Sequence, residues 1–395
     1  RGSAMSFTTC KEERPAYRLK TKRLLVVPGS RVIAVKPQIY IEEHLVATYP
    51  FDYTVNLRDG TAGTLVPTFF HDGTRGSGLA FRYVLPAGGK LQTEVDLSLS
   101  TEQALEGAAK VSYRFADGAE AFLDTSYLYN DDDDKKLWRP SWGLRSPESE
   151  EDGFAWSLTW SQRENVDIRQ GTGYSYKGTV ERDPEFRIVS PWWGKEAGWQ
   201  SLYRLFGTWG RFEEKGLDFE RTGIGLEMKG EAGSTETFQP FWRGRAAFYD
   251  YDTGEDRNVL EGSVGLRWER AGWRFETRYD RRWVDGESPM AWDRLLEIEE
   301  AYQTVDWPIS EKWRLAVRAG YDLQESRFHE MAYRLAYDRE CYRIELFYID
   351  DRVGDDDEIG LRFRLAAFPD SREEDFIPFP DPVTGGLSGF EEVFR

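Results

Sequence analysis

Apolar and polar residues alternate along most of the chain with a period of two. Leu91, Thr93, Val95, Leu97 and Leu99 interleave with Gln92, Glu94, Asp96 and Ser98, and Trp313, Leu315, Val317, Ala319 and Tyr321 with Arg314, Ala316, Arg318 and Gly320. The pattern returns at Tyr342, Ile344, Leu346 and Tyr348, and again at Ile359, Leu361, Phe363 and Leu365. Similar segments lie near 77–85, 105–115, 119–129, 153–162, 199–211, 237–249, 262–269, 273–283 and 329–338. Such alternation predicts β-strands with one apolar and one polar face. Runs of about ten residues suit a tilted strand that crosses a bilayer.

A soluble β-sandwich alternates too, so the character of the two faces has to decide. The polar face carries Arg, Glu and Asp at many consecutive positions, more than a sandwich core accepts. The apolar face ends in Trp209, Trp268, Trp283, Tyr321 and Tyr348, as an interfacial aromatic girdle requires. The expected fold is therefore all-β: a transmembrane antiparallel β-barrel of about 16–20 strands, with 18 best satisfying the alternation of its connections. In that scheme Ala116 to Gly118, Ala271-Gly272 and Arg339-Glu340 fall at a periplasmic end. The segments 130–152 and Val284 to Met290 are expected to be external loops, and 163–198 does not divide cleanly. Two extended runs, Tyr17 to Val27 and Arg31 to Ile41, are too small to bury a core alone and read as the end of a larger β-domain. The chain thus divides into 1–62 (Arg1 to Met5 resembling an expression scar, then a periplasmic β-stub), a barrel over 63–368, and a Pro- and Gly-containing tail over 369–395.

Composition agrees once the barrel is assumed. The mean hydropathy of -0.63 and 31% charged residues look soluble, yet 15 Trp, 20 Tyr and 24 Phe do not suit disorder. A barrel with a polar lumen and a greasy exterior reconciles the two. No run of 18 apolar residues is present, so no helix is expected to span. A net charge of -18 argues against nucleic acid. Acidic runs at Asp131 to Asp134, Glu148 to Asp152 and Asp355 to Glu358 read as solvated loops, with divalent-cation binding the alternative. Only His44, His71 and His329 exist, and none has the spacing of a zinc site or a Ser–His–acid set. No enzyme, cofactor or metal is expected, and no nucleotide-binding loop is present. Cys10 and Cys341, the two cysteines, suit either buried thiols or one long-range disulfide.

Several segments, in order along the chain, resemble the lipopolysaccharide-assembly family LptD (OstA). Thr8 to Cys10, Tyr17 to Leu19, Pro28-Gly29 and Val32 to Tyr40 resemble that family's junction between periplasmic jellyroll and barrel. Gly63 to Pro67 and Phe81 to Pro86 resemble its first two barrel strands, each carrying a proline. Trp307 to Trp313 resembles a late periplasmic turn, and Cys341 to Leu365 the closing hairpin. The barrel is shorter than is typical of the family, the late cysteine is single rather than paired, and most of the jellyroll is missing.

The resemblance implies a translocon that inserts lipopolysaccharide into the outer leaflet of the outer membrane. Its partners would be a periplasmic bridge protein of the LptA type and a plug lipoprotein of the LptE type, although the short barrel leaves room for the plug in doubt. It further implies a disulfide between Cys10 and Cys341, closing a loop of about 330 residues. A lateral gate between first and last strands would involve Pro67, Pro86, Gly360, Phe363 and Leu365. Proline removes a ladder donor and so weakens a seam, but Pro67 and Pro86 could equally just end their strands. Glu358 to Leu365 has the form of a barrel-assembly signal, or of one more strand. Leu24, Val26, Val32, Ala34, Ile39 and Ile41, with Leu45, could line a path for acyl chains or form ordinary β core. Arg82, Arg114, Arg267, Arg274, Arg278, Arg314, Arg318, Arg362 and Arg364 should face the lumen, to meet phosphates or to pair with lumenal acids. The rival reading is a general diffusion porin, and a soluble β-solenoid adhesin is a third.

Overall fold

The computed structural model describes residues 2–8, 15, 17–27, 31–41, 43–48, 52–56, 62–63, 68–72, 76–85, 90–101, 105–130, 135–147, 153–172, 174–195, 199–232, 238–339, 342–352 and 356–365. The N-terminal part is one seven-stranded sheet. It comprises β1 (Gly2–Phe7), β2 (Tyr17–Val27), β3 (Arg31–Val35), β4 (Gln38–Ile41), β5 (His44–Thr48), β6 (Tyr53–Asn56) and β7 (Ala62–Gly63). The residues that read as a scar pair in it, Met5 lying opposite Thr21. β2 is the spine. Its first half pairs with β4 and its second half with β3, in one continuous register interrupted by Lys36-Pro37. Lys36 takes a φ of 41°, and the Thr21 hydroxyl donates to the Val35 carbonyl across the break at 2.7 Å. Tyr17, Leu19 and Thr21, at every second position, are buried.

The barrel follows. A panel of six shorter strands comes first: β8 (Thr68–Asp72), β9 (Gly76–Leu85), β10 (Leu91–Ser100), β11 (Leu105–Arg114), β12 (Glu120–Asn130) and β13 (Lys135–Arg145). The strands then lengthen through β14 (Ala155–Gly171), β15 (Tyr174–Val189), the three-residue β16 (Trp193–Lys195), β17 (Trp199–Glu214), β18 (Leu217–Ala232), β19 (Phe238–Tyr251), β20 (Asp256–Arg270) and β21 (Trp273–Gly286). They shorten again in β22 (Ile298–Pro308), β23 (Trp313–Asp322), β24 (Arg327–Arg339), β25 (Tyr342–Asp351) and β26 (Asp356–Leu365). Because β15 also pairs directly with β17, the wall is an antiparallel ring of 18 strands with β16 as an outrigger, and β26 closes on β8.

The alternation read from sequence is the alternation of the wall. Leu97, Leu205, Ile224, Leu260, Val264, Leu346 and Leu361 are exposed on the outer face, where lipid rather than protein would cover them. Inward neighbours such as Arg245, Arg318 and Glu345 are buried. Aromatic rings form rows near the strand ends. At the end that joins the N-terminal sheet, Trp273 stacks on Trp307 and Trp313 packs on Tyr337. Nearer the other end Tyr321 meets Phe328 and Tyr333 stacks on Tyr348. The parity of connections holds from β8 to β26, with two corrections. The segment 130–152 is not one external loop, because Lys135–Arg145 is a strand and Ser146 therefore lies at the opposite end. Val284 to Gly286 belong to β21, and the connection that follows turns into the lumen.

Candidate functional site

The interior is shaped by the connection between β21 and β22. Its residues Ala291–Asp293 form a short 3-10 turn, and Met290, Trp292 and Leu295 are buried. They pack against Val180, Val189, Phe206, Phe212, Ala247, Tyr249 and Val259 of the long strands in one apolar cluster. An external loop gains this burial only by folding inward, so the upper lumen beside β14–β21 is filled.

Asp293 pins the loop. Its carboxylate accepts from Arg257 at 2.9 Å and from the Tyr251 hydroxyl at 2.7 Å, and pairs with Arg221 at 3.0 Å. Burial alone would push this carboxyl up, but Arg221 and Arg257 outweigh it and hold it below the usual carboxylate range. Further bonds carry the loop across the lumen. The Ala291 amide donates to Glu214 at the end of β17, and the Leu296 amide to the Gln170 carbonyl of β14. Arg282 of β21 also donates to that carbonyl at 3.0 Å, while its Nε donates to Glu261 at 2.6 Å.

Below the loop the inner wall carries arginines laid on aromatic rings and matched to acids. Arg221 lies over Phe212, Tyr249 and Trp292, Arg245 over Phe206, and Arg278 and Arg318 both over Tyr302. Arg278 pairs with Asp280, Arg318 with Glu330, and Arg314 and Arg334 share Asp306. Trp192, in the connection after β15, is sandwiched between Arg204 and Lys229. Of the arginines expected in the lumen, Arg267, Arg274, Arg278, Arg314 and Arg318 are each paired with an acid, the plainer of the two readings. Arg221, Arg245, Arg257 and Arg282 were missed. Arg245 and Arg282 lie in segments already read as alternating, whereas Arg221 and Arg257 lie outside every such segment. His329 is buried edge-on against Tyr302, and no metal-ligand cluster occurs among the described residues.

Among the described residues the barrel closes through a short ladder. Phe69–Asp72 of β8 pair with Glu358–Leu361 of β26, whereas β17 and β18 pair over their full lengths. Gly360 sits in this ladder, opposite Phe70 on one side and Phe347 on the other. A Cβ on Gly360 would lie 2.0 Å from the Phe347 ring, so glycine is required there by close approach of the ring. Phe363 and Leu365 lie in β26 beyond the residues paired with β8, opposite Ile344 and Tyr342. Pro67, Pro86, Cys10 and Cys341 lie outside the described residues.

The residues of the expected acyl path pair along β2. Leu24 pairs with Ala34 and Val26 with Val32, but Ile39 and Ile41 pair with Leu19 and Tyr17, positions of the other parity along β2. Ala34 is buried and Val26 is exposed.

A closed antiparallel ring, apolar outside between aromatic rows and charged inside, is a transmembrane β-barrel of the outer-membrane type. No family model matches the chain, and no curated protein matches it. Among solved structures it is similar to CdiB from Acinetobacter baumannii, at 9% identity and a TM-score of 0.40, covering 77% of this chain and 60% of that one. It is also similar to a mutant of the Rh. blastica porin, at 9% identity and 0.36, covering 75% and 96%. A third is an anion-selective porin from Comamonas acidovorans, at 12% identity and 0.35, covering 76% and 97%. The functional reading therefore rests on the chain's own geometry.

Proposed function

We propose that this barrel is a lipopolysaccharide translocon of the outer membrane, releasing lipid sideways between its first and last strands. The observation that carries the reading is the closure ladder. Among the described residues it spans four residues on each strand, it adjoins the strand that follows the N-terminal sheet, and few of those backbone bonds need break to part it. Lipopolysaccharide would arrive along a periplasmic bridge of the LptA type, pass the N-terminal sheet, and leave at β8–β26. Pro67 and Pro86 would weaken the seam and a Cys10–Cys341 disulfide would tether sheet to barrel, as the family resemblance implies. An LptE-type plug would have to share the lumen with the β21–β22 loop.

A photoreactive residue at Phe69 or Phe363, in cells, tests this. Captured lipopolysaccharide at either position, and none at Trp156 on the far wall, is the expected result. A folded, inserted barrel that captures none would transfer the case to the second reading, a diffusion porin. That reading is favoured by one feature, the inward loop pinned by Asp293, which would act as a constriction. A porin conducts ions steadily in planar bilayers, and a translocon with a closed seam and filled lumen conducts little.

A further inference from the structure

We propose that the edge between β13 and β14 is a second lateral opening, passing the acyl-chain-bearing amphiphile between lumen and bilayer at the end of the barrel away from the N-terminal sheet. The proposal rests on the translocon reading but names a different wall of the barrel. Ser141–Arg145 pair with Ser157–Ser161, and there the ladder stops. β13 runs on through Lys135–Pro140 paired only with β12, and β14 runs on to Gly171 paired only with β15. Among the described residues, no other pair of long neighbouring strands parts company in this way.

Three features separate the two strands, each of a different kind. Pro140, one residue beyond the last pair, has no N–H to donate, and proline belongs on a strand edge rather than inside a sheet. Arg163 takes a φ of 52°, and the β14–β15 register shifts on either side of Ser161, so β14 bends at this level. The tip of the β14–β15 hairpin is then drawn inward, where the Gln170 carbonyl accepts from Leu296 and Arg282 and the Gln170 side-chain amide donates to the Ala291 carbonyl. Gly171 lies against Leu296. The hairpin bends over the filled half of the lumen and leaves the edge of β13 behind.

The rims of the gap fit an amphiphile. Unpaired strand edges are not tolerated against lipid tails and need water or polar head groups. Trp138 is 57% exposed on the outer side of β13, and Arg139 is half-buried on the other face. Arg139 and the exposed Arg163 place guanidinium groups on both rims, a chemistry suited to phosphate. Among the described residues the six strands β8–β13 thus join the rest of the wall through a ladder of four residues at β26 and one of five at β14.

Two measurements on the intact chain in native-like membranes test the opening. Cysteine pairs are read by oxidation and mobility shift against single-cysteine baselines. Leu144→Cys with Leu158→Cys lies within the ladder and should oxidise nearly completely. Arg139→Cys with Arg163→Cys would face each other only if the ladder ran on, and should oxidise at least tenfold more slowly. Equal rates would mean a zipped wall and overturn the proposal. In cells, a photoreactive residue at Trp138 should capture lipopolysaccharide, while Trp283, equally outward on β21, should not. Capture at Phe69 or Phe363 but not at Trp138 would overturn this opening and leave the translocon reading standing. Capture at none of these positions would remove both.

Discussion

The two halves of the wall solve the same folding problem differently. From β14 to β21 the strands, the three-residue β16 apart, run 14 to 17 residues, and their inner faces pack on a loop folded between them. From β8 to β13, among the described residues, no strand exceeds 11 residues, and the panel is held at each edge by a ladder of four or five residues. The long half is stabilised as a soluble protein is, by apolar burial and matched buried charges. The short half depends on its ladders and on the membrane. On the proposed reading, the mobility that lateral release would need falls to the panel, where the described residues form no internal core.

Removing Asp293 is the sharpest way to break that difference. Asp293→Ala leaves Arg221 and Arg257 buried without their carboxylate, and losing one partner of a buried pair costs about 3–5 kcal/mol. The loop should leave the lumen, ion conductance in planar bilayers should rise severalfold, and protease should cut near residue 290. An unchanged conductance would show that the lumen is blocked elsewhere. Acid does the same reversibly. Because the Asp293 carboxyl is held below the usual range, its contribution is complete above about pH 3.9, the unfolded carboxylate value. It is lost as the pH falls through the lower folded value. Conductance should stay flat from neutral pH to about 4 and rise only below it, and Asp293→Asn should abolish the rise.

The seam gives a smaller effect. Gly360→Val drives a side chain into the Phe347 ring, and overpacking of this kind costs about 1–3 kcal/mol. Heat-induced unfolding of the detergent-folded barrel should fall by several degrees, and a Phe347→Ala second change should restore part of it. Trp192→Ala is expected to be the mildest. It removes two cation–π contacts worth about 0.5–1 kcal/mol each, and should lower the same unfolding temperature by a degree or two without altering conductance.

The ring itself was legible because alternation is a direct record of which face meets lipid. Leu91 to Leu99 and Trp313 to Tyr321 are strands at the expected places. β13 was hidden by Pro140 and by the acids that precede it, which read as a loop. β18 was hidden because Gly223 and Gly225, inward beneath Tyr249 and Phe206, interrupt its polar face between Arg221 and Glu227. The site was far less legible. Nothing in Ser288 to Leu295 marks a segment that folds inward, since its burial is supplied by Phe212, Tyr249 and Val259 from three distant strands. Asp293 acquires meaning only beside Arg221 and Arg257, which lie 72 and 36 residues earlier.

Gln170 meeting Arg282 has a consequence for the order in which the molecule is built. That contact joins residues 112 apart and closes the long half upon itself near one end. Its strands can therefore finish folding as a smaller unit before the panel β8–β13 is in place. Joining the ring through Phe69–Asp72 and Glu358–Leu361 spans the whole barrel segment and carries the larger loop-closure entropy. Assembly then has a natural final step, and an arrested intermediate should hold its protected amides in β14–β21 while the panel still exchanges.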